Sequence, residues 1–376
     1  MSKARVTPAT WRIFFLLPAG LSLLAALNAG LLLLGIRAPV ANWAEIHGVL
    51  MVVGFLGTLI GMERAVALRR PLGYLAPALL GIGGLLLLTP LPLLLGQLFL
   101  IEGALAFTLV YWFLWRRSHD AVVMVQLLGS VHLLIATLTW IFAPLPWLLP
   151  HFVGFLVLTI TSERVELTRL HMPRSGENIL VLAAAALTLA MLTTVFWPDT
   201  AIRAAALVIL ALTIWLGRHD VAGRFVRAVG LPRFSAAALL GGYFWLGVAA
   251  CIWLVDGYQY EGYVYDAVVH SVMLGFAMSM IMAHAPIILP AVLRRPLPYR
   301  SAMWAPLGLL HLGLAIRVFA GDLPARPLPW QIGGTLNVAA VLLFLVIAVT
   351  SSVLGTRTHP ESERPPAPAP SESSEI

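Results

Sequence analysis

The sequence predicts an all-α polytopic membrane protein of about twelve transmembrane helices arranged in pseudo-threefold groups of four. Three observations carry that prediction. Apolar residues make up 60% of the 376 and charged residues only 11%, with a mean hydropathy of +0.91, a balance foreign to soluble domains. Apolar runs of about 18 to 25 residues, each long enough to cross a bilayer, follow one another with short breaks at Arg, Pro or Gly. One motif also recurs at a fixed interval: "GFLGTLIGMER" from residue 54, "GFLVLTITSER" from 154 and "GFAMSMIMAHA" from 275.

The runs place spans at 11–34, 43–66, 72–90, 91–115, 119–142, 146–168, 178–197, 200–217, 234–256, 263–291, 301–320 and 329–354. The first resembles a secretory signal, with "ALNA" as a small-residue cleavage site, but it continues through "GLLLLGI" and is long enough to span and be retained. "TPLP" alone separates the third and fourth. Charge tests the count, because Lys and Arg gather in cytoplasmic loops. With the N-terminus inside, fifteen Arg residues fall on inner loops: 64, 69, 70, 116, 117, 164, 169, 174, 218, 224, 227, 233, 294, 295 and 300. Only Arg37, Arg203, Arg317 and Arg326 fall outside, alongside Asp199, Asp256, Glu261, Asp266 and Asp322. The expected location is a bacterial inner membrane, with both termini cytoplasmic. Residues 1–356 form one transmembrane domain, and the Pro-, Ser- and Glu-rich stretch 357–376, which includes His359, reads as a disordered cytoplasmic tail.

The net charge of +7 belongs to these loop arginines, so it reads as topology setting and headgroup contact, with the lipid bilayer as partner and no nucleic acid. One cysteine, Cys251, excludes disulfide frameworks and thiolate metal centres. No Walker loop, dinucleotide fingerprint, HExxH or calcium loop is present.

The repeated segments fall on spans two, six and ten, with Glu63, Glu163 and His284 nine residues after each Gly and His47, His151 and His270 near each outer end. Duplicated helix groups about a pseudosymmetry axis produce such spacing. Ionisable side chains are costly in a bilayer and tend to face protein, a cavity or a cofactor. His47, His132, His151, His270 and His311 all fall in the outer half, and His47 and His270 lie at comparable depth on matching helices. Two imidazoles so placed suit the axial positions of a haem b. His151, His132, His311 and His284 are further metal-ligand candidates, each also readable as a hydrogen-bonded histidine, and copper is the metal their chemistry suits. His284 lies 14 residues past His270, so it belongs to a separate, deeper position, where Pro286 and Pro290 suggest an unwound helix end. Arg317 at an outer end suits a haem propionate, or pairing with Asp322. Glu102, in the middle of span four, reads as a proton-relay group or the partner of a histidine on span five. Glu63-Arg64 and Glu163-Arg164 read as anchors at inner helix ends. Gly57 and Gly61 have GxxxG spacing for close helix packing. His119, His171 and His219 lie in inner loops and are assigned no role.

Beyond these residues, "WRIFFLLPAGLSLLAAL", "WAEIHGVLMVVGF" and "HSVMLGFAMSMIMAH" resemble the NnrS family of haem- and copper-associated bacterial membrane proteins, linked to nitric oxide and denitrification. Where that family's second helix usually reads "WHAHEM", this chain has "WAEIHG". A wider resemblance is to the catalytic subunit of haem-copper oxidases, twelve helices in three arcs, which implies haem ligands at His47 and His270 and a copper ligand at His151. The oxidase histidine pairs of helices seven and ten have no counterpart, so a complete oxygen-reducing centre is not expected. The expected function is a membrane haem protein, with copper as a second cofactor, that handles electrons or nitric oxide, its partner a redox protein or nitric oxide itself. Two alternatives remain open: a cofactor-free proton- or ion-coupled transporter or channel using Glu102, His132 and His311, and an assembly factor for a respiratory complex.

Overall fold

A computed structural model describes residues 10–173 and 175–355. The expected tail, with His359, and Arg174 lie outside the described residues. Among those described, eleven helices are long and apolar enough to cross a membrane. They are α1 (Ile13–Leu33), α2 (Ala44–Leu68), α4 (Leu93–Ser118), α5 (Ala121–Thr139), α6 (Leu145–Thr168), α7 (Gly176–Thr193), α8 (Pro198–His219), α9 (Leu231–Asp256), α10 (Gly262–Leu293), α11 (Ser301–Asp322) and α12 (Pro327–Gly355). The third expected span is a shorter apolar helix, α3 (Pro71–Leu86), packed against α4 across a six-residue connection. The chain is thus an all-α, multi-pass membrane protein. Helices suit the bilayer because each satisfies its own backbone hydrogen bonds, which lipid cannot.

Burial separates the helices into two classes. The most apolar windows of α2, α6 and α10 are 67%, 78% and 72% buried, whereas no other span exceeds 56%. The three repeat-bearing helices therefore form the interior, and the other nine surround them. The shared Gly-Phe explains how. Each glycine meets a helix next to its own in sequence: Gly54 lies against Ser22 of α1 and Gly84 of α3, Gly154 against the His132 ring of α5, and Gly275 against Trp245 of α9 and Leu314 of α11. A Cβ at Gly154 would come 3.0 Å from the His132 ring, so glycine allows the close approach. Phe55, Phe155 and Phe276 are all buried beside them.

Two of the three inner helices are locally underwound into π-helix, α2 over Leu50–Gly57 and α10 over Ser271–Met278, as is α11 over Ile316–Asp322. Such segments are rare and gather at functional sites. Here the first two begin just past His47 and His270. At the opposite, arginine-bearing end, Arg69 and Arg294 close α2 and α10 in the left-handed conformation, the geometry of a helix C-cap. The unwound end expected at Pro286 and Pro290 is absent: α10 stays helical through both, to Leu293. A proline removes one backbone donor, and packing among α1, α2 and α9 holds the helix across the gap.

Packing of α3 on α4 is tight at Gly103, where a Cβ would stand 2.8 Å from the backbone nitrogen of Leu80. Gly103→Leu is expected to destabilise by about 1–3 kcal/mol through overpacking. A lowered thermal midpoint of the detergent-solubilised protein, set against an unchanged midpoint for Leu105→Ala on the exposed side of α4, checks this.

Candidate functional site: two histidines across a membrane cavity

His47 begins the helical turn after a 3-10 entry at Ala44–Ile46, and His270 ends the first α-helical stretch of α10. Their rings face each other at 6.5 Å between centroids, with planes 28° apart. Each Nδ1 is committed to a backbone carbonyl: His47 donates to Ala26 at 2.8 Å, and His270 to Asp266 at 3.0 Å. With the proton on Nδ1, the lone pair of each neutral ring sits on Nε2, which has no protein partner. Both residues line a cavity of about 330 Å³ between α1, α2, α6, α10, α11 and α12, walled chiefly by residues such as Leu27, Met51, Val52, Phe152 and Met273. Its size and apolar lining with a few polar groups fit a small-molecule site.

Asp266 organises one side of this cavity. Its carboxylate accepts two hydrogen bonds from Arg317, from Nε at 2.8 Å and Nη2 at 2.9 Å, and one from Trp330 Nε1 at 3.1 Å. The same carboxylate lies 3.3 Å from His270 Nδ1. Arg317 is thus paired with Asp266, not Asp322, and buried rather than extended to the interface. Its Nη1 makes no hydrogen bond, and the residue lines the cavity. Sequence reading treated Asp266 as an outer-loop acid; its i, i+4 spacing from His270 was the signal that could have found it.

The other histidine candidates lie elsewhere. His151 does not join His47 and His270: it turns to His132, with Nδ1 to Nδ1 at 3.0 Å, so one ring donates to the other, and His132 Nε2 reaches Thr188 Oγ1 at 3.3 Å. His311 accepts from Trp245 Nε1 on Nδ1 at 2.9 Å, which leaves its proton on Nε2 and no lone pair for a metal. His284 donates from Nδ1 to the Met280 carbonyl at 2.8 Å and accepts from Arg164 on Nε2 at 3.1 Å, so its lone pair is used too. Among the described residues no group of three or more His, Cys, Asp or Glu side chains gathers to hold a metal. Glu102 is exposed on α4 and has no hydrogen bond, while His132 has other partners. A relay or a bond to span five is not built there, because the helix turns that position outward.

The Glu-Arg repeats are also not surface anchors. Arg64 bridges Glu63 at 2.6 Å and Glu163 at 2.8 Å, which ties α2 to α6. Arg164 forms a two-pronged pair with Asp220 at 2.9 and 3.0 Å, and Tyr243 donates to the same carboxylate at 2.6 Å. Packing of three inner helices turns these ends inward, where an unpaired charge is expensive. Burial raises the pKa of Asp220, but hydrogen bonding and charge from Arg164, with Tyr243, outweigh it and leave the group below its ordinary value.

A lowered folded pKa stabilises above the unfolded carboxylate value, and this contribution disappears as pH falls toward the folded value. Acid should therefore erode stability below about pH 4, and Asp220→Asn should remove that slope. The same variant strands Arg164 in the interior, at a cost of about 3–5 kcal/mol. Thermal midpoints between pH 3 and pH 7 for both proteins check sign and size together.

No curated protein matches this chain. The family model for a domain of unknown function (DUF8744) matches residues 12–353, and the chain belongs to that family.

Proposed function

We propose that the chain is a haem-binding membrane protein of the NnrS type, in which His47 and His270 hold a haem b from its two sides and the bound group carries electrons. The observation that supports this is the pair of imidazoles across the cavity, each fixed by its Nδ1–H and each with a free Nε2. The two rings stand 6.5 Å apart between centroids, so one metal-bearing group between them could be held by both. Metal-binding histidines also commonly give their second N–H to a carbonyl or carboxylate, which fixes ring orientation. Both rings do so.

The remaining lining agrees with the chemistry of the group. Apolar side chains suit a porphyrin face, and Arg317, with Nη1 unengaged, suits an anionic propionate. A haem held by both His47 and His270 would supply one-electron transfer, which favours electron carriage over nitric oxide binding. Copper belongs to the same reading only through His132 and His151, a pair without a third ligand. The arginine-rich end is the cytoplasmic one on this reading, by the positive-inside rule, in an inner membrane.

Purified from a haem-replete host, the protein is expected to show a Soret band and sharp reducible α and β bands at about one haem per chain. His47→Ala and His270→Ala should each abolish that spectrum. His311→Ala, away from the cavity, should keep it. A colourless preparation, or an unchanged spectrum in both cavity variants, refutes the assignment.

A further inference from the structure

A second cavity lies on the same helices, toward the arginine end. It measures about 230 Å³, and its walls come from α1, α2, α6, α10 and α12. Almost all of the wall is aliphatic or Met and Phe, but three polar residues line it: Glu63, Glu163 and His284. These are the three polar members of the repeat. The nine-residue offset from each Gly-Phe brings all of them to one chamber.

Two features define what the chamber can hold. The first is an excess of acceptors at its polar end. Arg64 takes one oxygen from each of Glu63 and Glu163, and among the described residues the Oε2 atoms of both carboxyls have no protein partner. His284 Nε2 is already occupied by Arg164. Two carboxyls share one guanidinium, so an anionic headgroup, whether a fatty acid or a phospholipid, meets repulsion there. A neutral head that donates hydrogen bonds is favoured. The second feature is the way in. α1 and α12 join near the histidine end, where Gln331 Nε2 donates to the Leu34 carbonyl at 3.0 Å and Leu34 packs on Gly334. In the lower half the cavity reaches out between them, past Leu16, Gly20, Leu345 and Ala348. A Cβ at Gly20 would meet nothing within 4 Å, so the space beside α1 is open.

A third feature links the two chambers. The upper one is lined by Met51, Val52, Met273 and Leu274, and the lower by Phe55, Leu56, Ala277 and Met278. One turn of each π-helical segment is all that divides them.

We propose that the lower cavity binds a membrane hydroquinone, with a ring hydroxyl donating to Glu63 or Glu163 and the apolar tail leaving between α1 and α12. The choice of a redox-active head over other neutral amphipaths rests on the electron-carrying reading above; the existence of the site does not. Glu63 and Glu163 are then the groups placed to accept a proton from the bound ring.

Equilibrium binding of decylubiquinol, kept reduced under anaerobic conditions, to the full chain in phosphatidylcholine nanodiscs, followed by calorimetry, tests this. One saturable site per chain is expected, in the wild type and equally in haem-free His47→Ala, so failure of the haem assignment leaves this result readable. Gly20→Phe, which fills open space without entering the packed core, should weaken binding at least tenfold. Glu63→Gln and Glu163→Gln together should weaken it further while Gly20→Phe keeps the wild-type thermal midpoint. Absence of saturable binding overturns the proposal, as does unchanged affinity in Gly20→Phe. Equal competition by an isoprenoid alcohol that lacks the ring overturns it in favour of a lipid site.

Discussion

An imidazole in the interior of a bilayer has two nitrogens to satisfy and no water to satisfy them, and the placement of the six histidines within the spans follows from that constraint. A neutral ring must find an acceptor for its N–H, and its lone pair must find a donor or a cavity. His284 resolves both demands with protein groups, through Arg164 and a carbonyl, whereas His311 spends its lone pair on Trp245 and its buried Nε2–H has no partner among the described residues. His132 and His151 resolve theirs largely against each other. His47 and His270 are different: each spends its N–H on a carbonyl and keeps its lone pair on the surface of a cavity. The neutral tautomer that the bilayer favours is the tautomer that a metal requires.

The same constraint accounts for the buried charges at the other end. Tandem Glu-Arg pairs on α2 and α6 stand at equivalent positions of the repeat, yet their partners differ. Arg64 binds both repeat glutamates, whereas Arg164 reaches Asp220, which also accepts from Tyr243, and His284 on α10. The third copy has His284 where the others have Glu, and it supplies an acceptor in place of another negative charge. Three acids around one axis with two guanidiniums already shared would leave more negative charge in the interior than the cations there could offset. Divergence of the repeat at this one position is thus what electrostatics demands.

Much of the architecture was legible in the sequence, because span length and hydropathy are properties of the chain alone. The boundaries of α6 and α12 differ from the sequence reading by no more than two residues, and the recurrent Gly-Phe marked the three helices that the structure buries most. The pairing of His47 with His270 was also accessible, since it depends on depth, and depth scales with residue count. What depends on azimuth was not. A helix that is apolar all round has no polar face to mark which side meets its neighbours, so the sequence could not show that Glu102 points outward, that His151 turns to His132, or that Arg317 meets Asp266. The π-helical segments compound this, because each shifts every later side chain around the axis relative to an α-helical count. For α10, that shift lies between His270 and His284.

The π-helical segments also bear on why the two cavities coexist. Of the three inner helices, α6 alone is α-helical throughout, from Leu149 to Thr168, and it is the most buried of the spans. α2 and α10 depart from that regularity at the same depth, between Leu50 and Gly57 and between Ser271 and Met278. The wider turn displaces side chains outward and costs hydrogen-bond geometry, a cost that persists in native structures where the surroundings enforce it and function uses it. Both departures fall at the partition, with a histidine just above each and a repeat acid or imidazole below. Spaces of this size in an otherwise dense interior are not left over from imperfect packing: they are held open by two helices that give up regularity at one shared level.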